Sequence, residues 1–323
     1  MKTSDKVLLI LEEQCGNFVS GEAIGVKLSL TRAAIWKAVS TLRQQGYTIS
    51  SSTKLGYKLE GGCDRLSVKG IKALLSEPLE IIHYSEVDST NTVAKRLALE
   101  GVSAPLVVVA DTQTKGRGRG GKAFFSPVQS GLYLSLLIKP NFTVAMALRI
   151  TAAAAIAVSR AIEELSNEKA TIKWVNDIFL GEKKVCGILT EGVSGFESGK
   201  LESVVIGIGI NFKIPKGGFP KELQETATAL YGKKVPQGVT KNQLAAKVLE
   251  NLLSLLAQLD HPQFMEEYRQ RSMVLNKEIT VYHGREQYNG VVRHITDDGG
   301  LIVTLEDGSE RELNSGEITI RKV

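Results

Sequence analysis

The spacing of apolar residues changes twice along the chain, and those changes constrain its fold more than any other feature. Up to Gly46 they recur at helical spacing. Between about residue 80 and Leu259 strand-like runs alternate with helical stretches, and beyond about Leu275 only short strands and turns remain. One core does not serve three such patterns, and 323 residues exceed what a single core usually organises. Three domains are expected: 1–62, 63–274 and 275–323. With 43% hydrophobic and 23% charged residues, the composition excludes a disordered or collagen-like chain and a small disulfide scaffold.

Val7, Leu8, Ile10 and Leu11 mark a first helix from Thr3 to Gln14, ended by Gly16. Ser20 caps a second that runs to about Leu28, and the chain turns through Ser29 and Leu30. A third helix runs from Thr31 to Gln45, with Ile35, Ala38, Val39 and Leu42 on one face and Gly46 at its end. Tyr47–Ser50 and Leu55–Leu59 then read as a hairpin, or wing. Together they make a winged helix-turn-helix, whose third helix enters the DNA major groove. Its outward side offers Thr31, Arg32, Trp36, Lys37, Thr41 and Arg43, with Lys54 on the wing. Residues 1–62 hold eight Lys/Arg against five Asp/Glu, a net +3 of the chain's +5. A helical domain for dimerisation or protein contacts is the other reading, and Trp36 alone fits a core position equally well. Gly61-Gly62, followed by Cys63-Asp64-Arg65, marks the boundary.

In the middle, strands are predicted at Ile81–Val87, Leu106–Ala110, Leu132–Lys139, Thr171–Leu180, Lys184–Gly192 and Ser203–Phe212. Helices are predicted at Thr92–Glu100, Thr143–Leu165 and Thr240–Leu259. Short turns, Leu180 to Glu182 and Gly195 to Gly199, imply an α+β fold: a mixed sheet with helices on one face. Glu278–Tyr282, Tyr288–Ile295, Gly300–Glu306 and Arg311–Leu313 read as a small SH3-like β-barrel.

The segment Asp111 to Pro127 sets Gly116, Gly118, Gly120 and Gly121 among Lys115, Arg117, Arg119 and Lys122. Glycine lets backbone N–H groups approach an anion, and arginine supplies forked donors for phosphate or carboxylate. Gly116 to Lys122 fits part of a P-loop, but Ala123 stands where a hydroxyl should bind Mg²⁺, and Phe124-Phe125-Ser126-Pro127 does not begin a helix. An RNA-binding Arg-Gly tract and a solvated loop are the remaining alternatives. Asn176-Asp177 ends Lys173-Trp174-Val175, where a carboxylate can reach Mg²⁺ or a ribose, or simply turn the chain. Lys184 precedes a buried strand, and Gly207-Ile208-Gly209-Ile210-Asn211 offers backbone to a planar ligand.

In this order the segments resemble the bacterial biotin–protein ligases that double as biotin operon repressors. The likeness runs over essentially the whole chain: the winged helix, Asp88 to Asn91, Gln113 to Arg119, Lys173 to Asp177, Lys184 to Gly187, Gly207 to Asn211, Ala227 to Leu230 and Ser315 to Ile318. It implies an ATP-dependent enzyme that makes biotinyl-5′-AMP and passes biotin to a lysine of the biotin carboxyl carrier protein of acetyl-CoA carboxylase or a related carboxylase. It also implies operator DNA as a partner, a ligand-promoted homodimer and Mg²⁺ with the nucleotide. By resemblance, Ser89, Thr90, Asn91, Gln113, Arg117, Gly118, Arg119 and Lys184 bind biotin, and Lys184 and Arg119 are catalytic. Lys122, Phe124, Asn176, Asp177 and Asn211 lie near the adenylate or ATP, and Arg321 is a further nucleotide contact. The chain departs from the family pattern at Phe124 (often Trp), Val175 (usually Pro) and Gly120-Gly121-Lys122 (often richer in arginine). Lipoate–protein ligase and a sensor without catalysis are the competing functions; the arginine loop with Lys184 favours the biotin enzyme.

Cys15, Cys63 and Cys186 lie far apart with no C-x-x-C pair, which predicts a reducing compartment and no structural zinc. The start shows no signal peptide, and the apolar stretch Val144 to Val158 falls short of the roughly 20 residues of a membrane span. A cytoplasmic protein without a membrane partner is expected.

Overall fold

The computed structural model describes residues 2–44, 47–60, 66–139, 146–194, 201–261, 263–283 and 286–321. Gly46, the Gly61 to Arg65 boundary, Thr143 and the Gly195 to Gly199 turn lie outside them.

Helices α1 (Thr3–Glu13), α2 (Gly21–Leu28) and α3 (Arg32–Gln44) precede β1 (Ile49–Ser52) and β2 (Gly56–Leu59). Ser20 Oγ accepts from Ala23 N at 3.0 Å, and Ser29 closes α2 at φ 54°. Val7, Leu8, Leu11, Ile24, Ile35, Val39 and Leu42 form a core of their own. The wing starts later than its sequence suggests. Gly56 sits at φ 97°, and a Cβ there would collide with the Val19 carbonyl, so the strand starts only where glycine allows the close approach. Arg43 is exposed as expected, but its guanidinium donates to Ile49 O at 2.6 and 2.9 Å and ties α3 to the wing.

The winged helix is docked on the middle of the chain. Glu12 on α1, 3% exposed, accepts from Asn242 Nδ2 at 3.3 Å, and Asn242 Oδ1 accepts from Ser67 N at 2.9 Å. Ser67 caps the short helix α4 (Val68–Lys72), which packs against α1.

Seven strands build the central sheet: β3 (Glu80–Tyr84), β4 (Leu106–Ala110), β5 (Gly131–Ile138), β6 (Ala170–Lys173), β7 (Asp177–Leu180), β8 (Lys183–Ser194) and β9 (Leu201–Asn211). Their order is β3-β4-β5-β9-β8-β7-β6, with β3 and β4 parallel and the rest antiparallel. Alternation along β4 sends Val107 and Val109 to one face and Leu106 and Val108 to the other. The first face packs against α6 (Ala147–Ser166) and α7 (Lys241–Leu256). The second packs against Val93 and Ala94 of α5 (Thr90–Leu99), so helices on one face describes α6 and α7 but not α5.

The strand expected from Thr171 to Leu180 is instead the hairpin β6–β7, turning through Trp174, Val175 and Asn176. Trp174 Nε1 donates to Gly299 O at 2.9 Å, and Tyr268 Oη donates to Val175 O at 2.9 Å. These anchors lie outside the strand's own sequence. Tyr268 belongs to α8 (Phe264–Arg271), whose Arg271 and Glu267 join Arg160 and Glu163 in an ion-pair network.

The tail folds as β10 (Glu278–His283), β11 (Glu286–Ile295), β12 (Leu301–Leu305), β13 (Glu310–Leu313) and β14 (Glu317–Ile320), an antiparallel sheet of order β13-β12-β11-β10-β14. Ile279, Val281, Val292 and Leu301 share the core of α6 and α7. Cys186 is a free buried thiol. Among the described residues no helix is long and apolar enough to cross a membrane.

Candidate active site

The site begins with what β9 lacks. Ile206, Ile208 and Ile210 point into the α6–α7 core, so Gly207 and Gly209 face the other way. Gly187 of β8 pairs with Gly209 in the register of the two strands. A Cβ on Gly207 would collide with the Asn91 amide, and one on Gly209 would stand 2.5 Å from the Phe124 ring. The glycines leave a trough, and the cleft above it holds about 400 Å³.

One end is polar and uncharged. Ser89, Thr90 and Asn91 lie buried where α5 begins. Thr90 N and Oγ1 donate to Gln113 Oε1 at 2.8 and 3.2 Å, and Gln113 Nε2 donates to Ser126 Oγ at 2.8 Å. Ser135 Oγ, fully buried on β5, lies 2.7 Å from Thr90 Oγ1 and donates to Asn91 Oδ1 at 2.6 Å. The sequence reading missed Ser135 because a lone serine in an apolar strand carries no signal.

The glycine–arginine loop is ordered over the cleft. Gly118 N donates to Lys122 O at 2.7 Å and Phe124 N to Gly116 O at 2.9 Å, folding the loop back on itself. Arg117 pairs with Glu191 of β8, Arg119 Nη1 donates to Asn176 Oδ1 at 3.3 Å, and Lys122 pairs with Glu317 of β14 at 2.6 Å. Asn176 is itself held, donating to Ile188 O at 2.7 Å.

Lys184 owes its place to a bulge. Ile178 pairs with Cys186 and Phe179 with Lys184, leaving Val185 as the extra residue. Regular alternation would put Lys184 on the core side with Cys186. The added residue turns it to the cleft, beside Gly187 and 2.7 Å from Asp177 Oδ1. Lys173, which opens the Lys173 to Asp177 motif but is assigned no role there, lines the cleft nearby. Burial, with Lys184 and Lys122 close by, pushes its pKa below that of an ordinary lysine. Arg117, Arg119, Lys122, Lys173 and Lys184 thus line the cleft against two carboxylates, Asp177 and Glu317. It is built for a polyanion.

Every residue expected at biotin or nucleotide therefore lines this one cleft except Asn211 and Arg321. Arg321 lies 3.8 Å from the Glu278 carboxylate instead. Asn211 ends β9, donates to Thr228 O at 2.9 Å and accepts from Leu230 N, bracing the adjoining segment. The residues expected at DNA lie elsewhere. Arg32, Trp36 and Lys37 are exposed on α3, Trp36 by 62%; Thr31 caps the helix and Lys54 is exposed in the wing.

Comparison with known proteins fits this geometry. Models of the biotin/lipoate A/B protein ligase family, an HTH domain and the biotin protein ligase C terminal domain match residues 84–211, 3–58 and 274–321. The bifunctional ligase/repressor BirA of Bacillus subtilis is 37% identical over 232 residues, 71% of each chain. The chain belongs to the biotin protein ligase family. BirA of Escherichia coli, a bifunctional ligase/repressor, is 29% identical over 309 residues, 95% of this chain and 94% of that one. Among solved structures, a biotin protein ligase of Aquifex aeolicus in complex with biotin and ATP is similar with a TM-score of 0.63 and 28% identity, over 76% of this chain and 99% of that chain.

Proposed function

We propose that the protein is an ATP-dependent biotin–protein ligase that biotinylates a carrier lysine and, with biotinyl-5′-AMP bound, represses biotin genes from operator DNA. One observation carries the reading: a cleft with an uncharged polar end and a cationic end, spanned by an ordered glycine–arginine loop.

A biotin carboxylate oxygen attacks the α-phosphorus of ATP, and the bond from that phosphorus to pyrophosphate breaks. Two anions must meet, and Lys184 with Arg119 offsets their repulsion. The carrier's lysine amine then attacks the acyl carbon, the bond to AMP breaks, and the amine sheds a proton as the amide forms. The reaction so written needs no protein nucleophile. The loop's role is to exclude water from the mixed anhydride until the carrier arrives.

Among the described residues no cluster of three or more His, Cys, Asp or Glu could hold a metal, and Asp177 is engaged by Lys184. Mg²⁺ is therefore read as arriving with the triphosphate, with Asp177 as its one candidate ligand from the chain. Thr31, Arg32, Trp36, Lys37 and Lys54 are the proposed DNA contacts, and Asn211 supports the nucleotide site indirectly. We read the boundaries as 62/63 and 274/275, the tail as SH3-like and the location as cytoplasmic, with the biotin carboxyl carrier protein as partner. A homodimer promoted by the adenylate completes the repressor; equal dimer constants by ultracentrifugation with and without adenylate would remove that part.

Pyrophosphate release with ATP, first with biotin and then with lipoate, followed by transfer to a carrier domain, tests the enzyme. Biotin-dependent release with transfer is expected. Lipoate-dependent release would make it the sister enzyme, and no release would make it a sensor.

A further inference from the structure

The mechanism above makes no use of Glu191. Glu191 lies on β8, behind the uncharged end of the cleft, and receives three donors from two other elements. Its Oε1 accepts from Arg117 Nη2 and from Lys95 Nζ at 2.9 Å, and its Oε2 accepts from Asn91 Nδ2 at 2.8 Å. Burial would raise its pKa, but hydrogen bonds from Asn91, Lys95 and Arg117 outweigh that and hold the carboxyl below its ordinary value.

Arg117 stands between Gly116 and Gly118, a backbone that does little to direct a long side chain. The loop's other ion pair, Lys122 with Glu317, has side chains 66% and 49% exposed and is weakened more by solvent than Arg117 with Glu191, at 41% and 21%. Lys95 supplies a second cation to the same carboxylate oxygen. Asn91 on the same carboxylate registers the arginine against the polar end of the cleft.

We propose that Glu191 is a positioning residue of the ligase reaction, holding Arg117 so that the loop is pinned over the biotin end of the cleft and the adenylate is retained. The proposal rests on the ligase reading. It is tested in the full chain with Glu191→Gln, Glu191→Asp, Arg117→Ala and the double variant Glu191→Gln/Arg117→Ala. The rate at which preformed biotinyl-5′-AMP leaves each protein is measured, together with KM for biotin and kcat for pyrophosphate release. Glu191→Gln should speed adenylate release about tenfold and raise KM for biotin more than it changes kcat, with Glu191→Asp intermediate. Because Glu191 acts through Arg117, the double variant should release adenylate no faster than Arg117→Ala alone. Wild-type release from both Glu191 variants, or additive effects in the double variant, overturns the proposal. Should the unmodified chain release no pyrophosphate with biotin and ATP, it is the ligase reading that fails.

Discussion

Replacing Glu12 by glutamine should make the protein more stable at pH 8 and hardly change it at pH 5. Glu12 lies between α1 and the start of α7 with one hydrogen bond, from the neutral Asn242 amide, and burial pushes its pKa from 4.5 up to about 7. The other charged pair crossing this junction, Lys69 with Asp5 at 3.9 Å, faces solvent more. With the folded value above the unfolded one, the folded state holds the extra proton between pH 4.5 and 7. Stability therefore falls as pH rises through that window and is lowest above it. The rise corresponds to roughly 3 kcal/mol against the ionised form, shrinking to below about 1 kcal/mol at pH 5. Glutamine keeps an oxygen to accept from Asn242 and removes the charge. Calorimetry of the full chain at the two pH values should place the winged-helix transition of the variant higher by up to about ten degrees at pH 8. An equal shift at both pH values, or a loss at pH 8, would mean that a buried cation compensates Glu12, refuting the reasoning.

Lys184→Ala should abolish biotin-dependent pyrophosphate release, whereas Arg119→Gly should still form adenylate but lose it to solution; free adenylate is measured for both, and tight retention by Arg119→Gly would sink the role given to the loop. Gly207→Ala drives a methyl group into the Asn91 amide and should weaken biotin binding by calorimetric titration about a hundredfold while the fold survives. Arg32→Ala and Lys37→Ala should weaken operator binding, with a shallower salt dependence, and spare pyrophosphate release. Arg43→Ala should instead lower thermal stability by about 1–2 kcal/mol through the lost bonds to Ile49 O.

Much of this was legible from local rules. The Ser20 cap, the Leu106–Ala110 strand and the glycine–arginine loop follow from residues within a few positions of one another, so their signals survive without the fold. What was missed depends on partners far along the chain. Thr171 to Leu180 reads as one strand because the groups that fold it into a hairpin, Gly299 O and Tyr268, lie about a hundred residues away. Half of helix α8 is charged, and its faces make sense only against Glu163 and Arg160. Glu191 and Glu317 look like solvent-facing strand residues until the loop is laid across them, and Arg43 looks like a DNA contact until the wing's carbonyl is in place.

The extra residue at Val185 sets a rule of parity for this enzyme. Deleting a single residue between Leu180 and Gly187 would retain nearly every side chain of the cleft and yet invert the strand, burying an ammonium among isoleucines and presenting an alkyl group to the phosphate. Val185 itself, fully buried in the core, should tolerate an apolar residue of similar volume. Inheritance of catalysis here is thus more sensitive to a lost codon than to a changed one, and a lysine grafted onto a related sheet without its odd neighbour would face the wrong side.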